Sequence, residues 1–180
     1  MDKSLFGITK GILCQQCNCK GKYGAGISGA ISSVYPEVYF SFKKDYEKYG
    51  KANTLFGTTT IVKCTDDLYV ANIYSQYNYG RSGVYTDIPR LVIAISQIAL
   101  QNPNTNIYVP HNYNPISGKH TGIGAGLGGA VWPIIENYLQ TCINHSNIHN
   151  VYLYDTINQK IDRRLIPDNI RKEGDNNEAK

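Results

Sequence analysis

The chain lacks any apolar run near the roughly 20 residues that a bilayer-crossing helix needs. Its N-terminus also lacks the basic-then-apolar pattern of a secretory signal. The expected compartment is therefore the cytoplasm. Charge is sparse: 18% of residues are charged and the net charge is +4. That balance suits an anionic ligand but falls short of the basic footprint of a nucleic-acid binder. Cysteine is present in an odd number, five, which argues against a disulfide framework in such a compartment. Cys14, Cys17 and Cys19 have no second Cys/His pair at finger spacing, so no metal or other cofactor is expected. They read as thiols that happen to share one strand. No Gly-Lys-Ser/Thr ending of a Walker A loop is present, and no convincing dinucleotide fingerprint. Internal repeats and domain boundaries are absent too. The 180 residues suffice for a single domain with a sizeable core, expected over 1–169 with a polar tail at 170–180.

What the chain does have is glycine in two clusters and 15 tyrosines. The first cluster runs Asn18-Cys19-Lys20-Gly21-Lys22-Tyr23-Gly24-Ala25-Gly26-Ile27, and the second Gly122-Ile123-Gly124-Ala125-Gly126-Leu127-Gly128-Gly129. Each follows a short apolar run and precedes a plausible helix. Glycine lets backbone approach a ligand closely, and a helix start adds free N–H groups and the positive end of the dipole. Glycines can also merely make tight turns. Two loops placed strand–loop–helix favour the first reading, a cleft that grips a phosphate-rich ligand from both sides.

The surrounding pattern is α/β. Strands are predicted at Ile12 to Cys17, Thr58 to Cys64, Leu68 to Tyr74, Ile107 to Val109 and Val151 to Tyr154, the last strand of the chain. Helices are predicted at Ile27 to Val34, Val38 to Tyr49, a stretch N-capped by Thr86, and Trp132 to Ile143. His111 to Thr121 reads as a polar loop. Alternating strands and helices predict a largely parallel sheet covered on both faces. Ligands of such sheets sit at the carboxyl ends of the strands, so both glycine loops and the Tyr77–Arg81 segment should converge on one rim. There Tyr77 and Tyr79 offer rings for stacking and Arg81 a partner for phosphate, or the segment is simply a packed surface loop. The carboxamide of Asn18 suits a sugar diol, or equally an Asx turn that starts the loop.

At these residues the chain resembles the macro domains. The resemblance is carried in order by Gln16-Cys17-Asn18-Cys19-Lys20-Gly21 with Gly24-Ala25-Gly26-Ile27, by Tyr35-Pro36, by Asn72 through Arg81, by Tyr85-Thr86-Asp87, and by Gly122 through Leu127 with Trp132. It covers about Ile12 to Tyr154 and is nearest to the ADP-ribose 1''-phosphate phosphatase type of bacteria, phages and yeast. It implies a three-layer α/β/α sandwich with a mixed, largely parallel central sheet and a cleft for ADP-ribose or a derived nucleotide. By that analogy Asn18 bonds the distal ribose, while Lys22, Tyr23, Gly24, Ala25, Gly26 and Ile27 wrap that ribose and its phosphate. Gly122, Ile123, Gly124, Ala125, Gly126 and Leu127 cradle the diphosphate. Tyr77 or Tyr79 lies toward the adenosine, and Asp2 falls near the place of an adenine-binding Asp.

The departures bear on catalysis. Gln15 stands where phosphatase relatives carry His, and Val131 where phage and bacterial relatives carry Asp. Gln76 and Gly128 stand where deglycosylating relatives use Lys and Asp. Gln is no general base near neutral pH and Val is none at all. His111 and His120 bracket the polar stretch before the second loop and are the remaining candidates for base or nucleophile; each also fits a solvated insertion. The expectations are thus an ADP-ribose-type cleft with dephosphorylation of ADP-ribose 1''-phosphate left open. The alternative is a binder or sponge without turnover. Oligomeric state is not legible.

Overall fold

The computed structural model of the chain describes residues 6–50, 54–114 and 119–170. In chain order the elements are β1 (Gly11–Asn18), α1 (Ile27–Val34), α2 (Pro36–Tyr49), β2 (Thr59–Lys63), β3 (Leu68–Gln76), α3 (Ile88–Gln101), β4 (Ile107–Asn114), β5 (Lys119–Gly122), α4 (Trp132–Ser146), β6 (Val151–Asp155) and β7 (Lys160–Leu165). The strands form one sheet in the order β2-β3-β1-β4-β6-β7, with β5 paired to β4. β3, β1, β4 and β6 run parallel, whereas β2, β5 and β7 add antiparallel pairs. The sheet is mixed, as expected.

Strand β1 shows why both faces are covered. Ile12 and Cys14 belong to the core cluster that contains the inward residues of α3 and α4. Leu13, between them, belongs to the cluster of Ile31, Tyr35 and Val38 on the α1–α2 side. A strand buried on both faces reads as a continuous apolar run rather than an alternation. α2 starts on Pro36, whose missing N–H costs nothing in a first turn, and buries Val38 and Phe42. α3 lays Leu91, Val92, Ile95, Ile98 and Ala99 against the sheet. Its N-cap is Asp87, whose carboxylate accepts the Arg90 N–H. Thr86, expected in that role, instead directs its hydroxyl to the Gly124 carbonyl and Gln16 Oε1.

Two further expectations are corrected. The stretch expected as a polar loop before Gly122 is a hairpin: β4 extends to Asn114 and β5 returns, with His111 opposite Gly122 and Asn112 opposite Thr121. Its residues are mostly polar in sequence, so they carry no apolar signature. Nor is β6 the last strand, since β7 pairs antiparallel to it. β7 is an edge strand whose residues are exposed except Leu165, and charged edges of that kind are how sheets resist further pairing.

The placement of the site follows from the strand order. β1 pairs with β4 only at Ile12↔Ile107 and Leu13↔Tyr108. Beyond that point β1 stays with β3 as far as Asn18↔Gln76, and β4 stays with β6 as far as His111↔Asp155. After β1 the chain builds the sheet one way, through β3 and β2; after α3 it builds the other way, through β4, β6 and β7. The gap between the carboxyl ends of β1 and β4 is therefore a topological switch point, where open α/β sheets hold ligands. The β4–β5 hairpin brings the chain back to His111, so that the second glycine loop starts beside this gap.

Candidate functional site

A cleft of about 580 Å³ opens there, within the size range of small-molecule sites. Both glycine loops and the segment after β3 line it: Asn18, Lys22, Tyr23, Ala25, Gly26 and Ile27 from the first, Gly122, Ile123, Gly124, Gly126 and Leu127 from the second, and Tyr79 and Arg81 from the third, together with His111. Gly24, Tyr77 and Ala125 are not on its wall. The Gly24 carbonyl packs against Gly29. The Tyr77 ring is covered by Lys20 Nζ at 4.2 Å and meets Phe56 edge-on. Ala125 packs against the core. Asp2 lies outside the described residues, as does the side chain of His120, whose backbone pairs with Tyr113 on β5.

Backbone donors are the main polar resource of the cleft. The N–H groups of Ala25, Gly26, Gly126 and Leu127 donate to no acceptor among the described residues, and all four residues line the wall. α1 begins directly after Gly26, which adds the positive end of its dipole. Among the described residues lining the cleft, Lys22 and Arg81 are cationic and none is Asp or Glu.

The glycines of the second loop serve different ends. A Cβ on Gly128 would stand 2.1 Å from Thr86 Oγ1 and 2.5 Å from the Gly124 carbonyl oxygen, so this glycine is required by packing. Gly126 has no left-handed φ and a Cβ there would meet nothing within 4 Å. Neither backbone conformation nor packing demands glycine at this cleft-lining position.

Four carboxamides line the cleft, and three make hydrogen bonds within the protein; Asn112 accepts the Thr156 N–H and hydroxyl through Oδ1. Gln16 donates from Nε2 to Ser75 Oγ and accepts from the Thr86 hydroxyl. Asn18 accepts the Lys20 and Lys22 N–H groups at 3.1 and 3.2 Å and donates to the Lys22 carbonyl oxygen, so its side chain closes the loop as an Asx-type turn. The fourth, Gln76, is 8% exposed. Gln76 and Tyr79 share the β1–β3 end of the cleft with Asn18, opposite Asn112 and Thr156 on the β4–β6 side. Asn18 and Tyr79, expected to serve different parts of the ligand, both line the cleft.

Gln15 points away from this floor. It is fully buried, donates to Asn72 Oδ1 and shares a hydrogen bond with the Tyr23 hydroxyl, thereby anchoring the first loop from beneath the sheet. Tyr23 also packs on Phe42, with ring centroids 4.9 Å apart, and burial raises its phenol above the ordinary range. Val131 precedes α4 and is exposed. Cys17 lines the cleft, but burial, with Asp45 and Cys19 nearby, pushes its thiol well above 9.0, so it is a poor nucleophile. His111 is the titratable group of most interest. Its ring stacks on Trp132 at 5.6 Å and its Nε2 lies 3.4 Å from Asp162 Oδ2. Asp162 falls in the register shift between Leu153↔Arg163 and Tyr154↔Ile161, and such bulges re-aim side chains. Groups of three or more His, Cys, Asp or Glu able to hold a metal do not occur among the described residues.

Gln16, Gln76, Asn112 and Thr156 line the cleft without having been singled out from sequence as ligand contacts. All four sit at or just beyond the carboxyl end of a strand, and the strand-end rule applied to every strand would have found them.

Known proteins place this architecture. An uncharacterized 17.5 kDa protein of Enterobacteria phage T4 is 26% identical over 140 residues, 77% of this chain and 83% of that protein. The ADP-ribose 1''-phosphate phosphatase of Debaryomyces hansenii is 24% identical over 168 residues, 80% of this chain and 88% of that enzyme. The macrodomain of Mycobacterium tuberculosis DarG matches with a TM-score of 0.63 at 18% identity, over 84% of this chain and 92% of that one. This is a macrodomain fold. A Thermosipho africanus DarTG structure in complex with ADP-ribose shares the macrodomain architecture with a TM-score of 0.61 at 16% identity, over 84% of this chain and 39% of that one. No family model matches the chain.

Proposed function

We propose that the cleft binds ADP-ribose or a nucleotide derived from it. The observation that carries this is the set of uncommitted N–H donors from two glycine loops facing one switch-point cleft. A diphosphate is the ligand group such donors complement. Lys22 and Arg81 add positive charge and no described carboxylate on the wall opposes it. The DarTG complex with ADP-ribose and the phosphatase relative support the same ligand class. In this reading the second loop, Gly122 to Leu127, cradles the diphosphate, and the first, Lys22 to Ile27, wraps the distal ribose. Calorimetry with ADP-ribose tests it: saturable binding is expected, and no heat at millimolar ligand would sink the proposal.

A second reading, hydrolysis of ADP-ribose 1''-phosphate, is favoured by one feature, the His111–Asp162 pair at the cleft wall. Asp162 Oδ2 stands at ion-pair distance from Nε2, and a carboxylate beside an imidazole orients its ring, while both ring nitrogens are themselves buried in the wall. Phosphate release from that substrate distinguishes turnover from binding alone. Loss of release in His111→Ala with ADP-ribose affinity retained is the expected signature. Unchanged release in that variant removes His111 from the mechanism.

A further inference from the structure

We propose that the outer face of α3 and α4 docks a second copy of this chain, making the protein a symmetric dimer. The two helices pack side by side. They run in the same direction, since each returns the chain to the start of a parallel strand, β4 or β6. Other contacts fix their outer borders. On one side of α4, Glu136 pairs with Arg163, Gln140 donates to the Ile166 carbonyl and Asn144 donates to Asp168. On the far side of α3, the Arg90 guanidinium lies over the Phe56 ring. By helical phase, Ile93 and Leu100 are turned from the Arg90 border toward α4, and Ile134 and Tyr138 are turned from the Glu136 border toward α3. These four side chains line one seam, and each is between 45% and 51% exposed.

The seam is almost free of charge. Among the described residues of these two helices, Arg90 is the only exposed Lys, Arg, Asp or Glu, and Asp87 pairs with it at the border. The contrast is α2, which also exposes Tyr39, Phe40 and Tyr49, but with Lys43, Lys44, Glu47 and Lys48 among them, as a solvated face requires. A contiguous exposed apolar patch marks an interaction site, and depletion of charge around an exposed Tyr is the composition of an interface core. A two-fold contact lays a patch on its own copy. A charged patch would repel itself there, and this one does not. Half-uncovered side chains of this size expose on the order of 100 Å² each. With the flanking Pro89, Gln97, Pro133 and Thr141, the face offers roughly 800 Å² per copy, the area of a standard interface. The chain has no cover of its own for it. Residues 171–180 contain no large apolar side chain, and the other segments outside the described residues are five residues or shorter.

Sedimentation of the full chain from micromolar to submillimolar concentration tests the assignment, and none of its readouts depends on the ADP-ribose reading. A particle of twice the 20.1 kDa chain mass is expected at the upper end. Ile93→Glu and Ile134→Glu should each weaken the dimer about tenfold or more, because the new carboxylate would be buried against the other copy. Phe40→Glu, on α2, should leave the dimer as strong as in the wild type. Both seam positions are half exposed in a single chain, so circular dichroism should show the seam variants folded. Should a charged variant fail to fold, Leu100→Gln is read by the same sedimentation series. A wild type that stays monomeric throughout overturns the proposal. So does a dimer of undiminished strength in the folded seam variants, or one weakened equally by Phe40→Glu, since either result puts the contact on another face.

Discussion

Gly126 and Gly128 lie two residues apart and are glycine for opposite reasons. At Gly128 a methyl group collides with Thr86, the Gly124 carbonyl and Gln16. Gly128→Ala should therefore destabilise the fold by about 1–3 kcal/mol, the usual cost of overpacking, measured by urea denaturation. At Gly126 the methyl meets nothing within 4 Å. Gly126→Ala should leave stability within about 0.5 kcal/mol and, if the diphosphate lies on this loop as proposed, still weaken ADP-ribose binding several-fold, since the new carbon narrows its approach. Equal affinity in a folded Gly126→Ala variant would mean that the ligand does not pass this loop. Sequence alone does not separate the two, because what a Cβ would touch is a property of the folded neighbourhood. Asn18 shows the same boundary. Its Oδ1 accepts the Lys20 and Lys22 N–H groups, which shows the Asx turn, while an amide nitrogen has a second N–H that the turn does not use, so the sugar contact stays a proposal for the binding experiments.

Among the elements, those with an apolar period were legible and those without one were not. β1, β3, α3 and α4 lie within a few residues of their predicted bounds because burial on the sheet forces the pattern. β7 carries exposed polar and charged residues apart from Leu165, and the β4–β5 hairpin is mostly polar in sequence, so periodicity had nothing to report. The start of α3 was misplaced by one residue: Thr86 and Asp87 are both good caps, and the hydroxyl is taken by Gly124 and Gln16. Asp87→Ala should cost about 1 kcal/mol of stability through the lost cap, measured by thermal unfolding, together with the exposed ion pair to Arg90. The turn between β6 and β7 makes a pH-dependent contribution. Burial works to raise the Asp155 carboxyl, but N–H and carboxamide donors from Asn158, the Ile157 N–H and nearby His111 outweigh it and hold it below 3.8. A carboxyl depressed on folding stabilises the native state above its unfolded value, and that stability is lost as pH falls through the folded value. The margin of wild type over Asp155→Asn should thus be constant near neutrality, shrink as pH falls below 3.8 and vanish once pH is below the folded value. A margin that persists unchanged in acid would assign the effect to something other than the charge.

Across the whole molecule, the cleft is a consequence of strand order. β1 and β4 separate after two register pairs, each continues with a different neighbour, and a hairpin returns the second glycine loop to the gap. The sequence carries this much, since strand–loop–helix placement and the carboxyl-end rule already bring both loops to one rim. The floor of the cleft was harder to read, because Gln15, Gln16 and Gln76 are the same residue type in three different situations. One faces the opposite side of the sheet, one is held by Ser75 and Thr86, and one lines the cleft next to Asn18 in register. No described helix is long and apolar enough to cross a membrane.

The account depends on the two loops gripping one ligand through their free N–H groups. Titration of the ¹⁵N-labelled chain with ADP-ribose, followed by amide chemical shifts, tests that most directly. The largest shifts are expected together at Ala25, Gly26, Gly126 and Leu127, with one saturation curve for all four. Binding that moves only one loop, or leaves both unmoved, would contradict it.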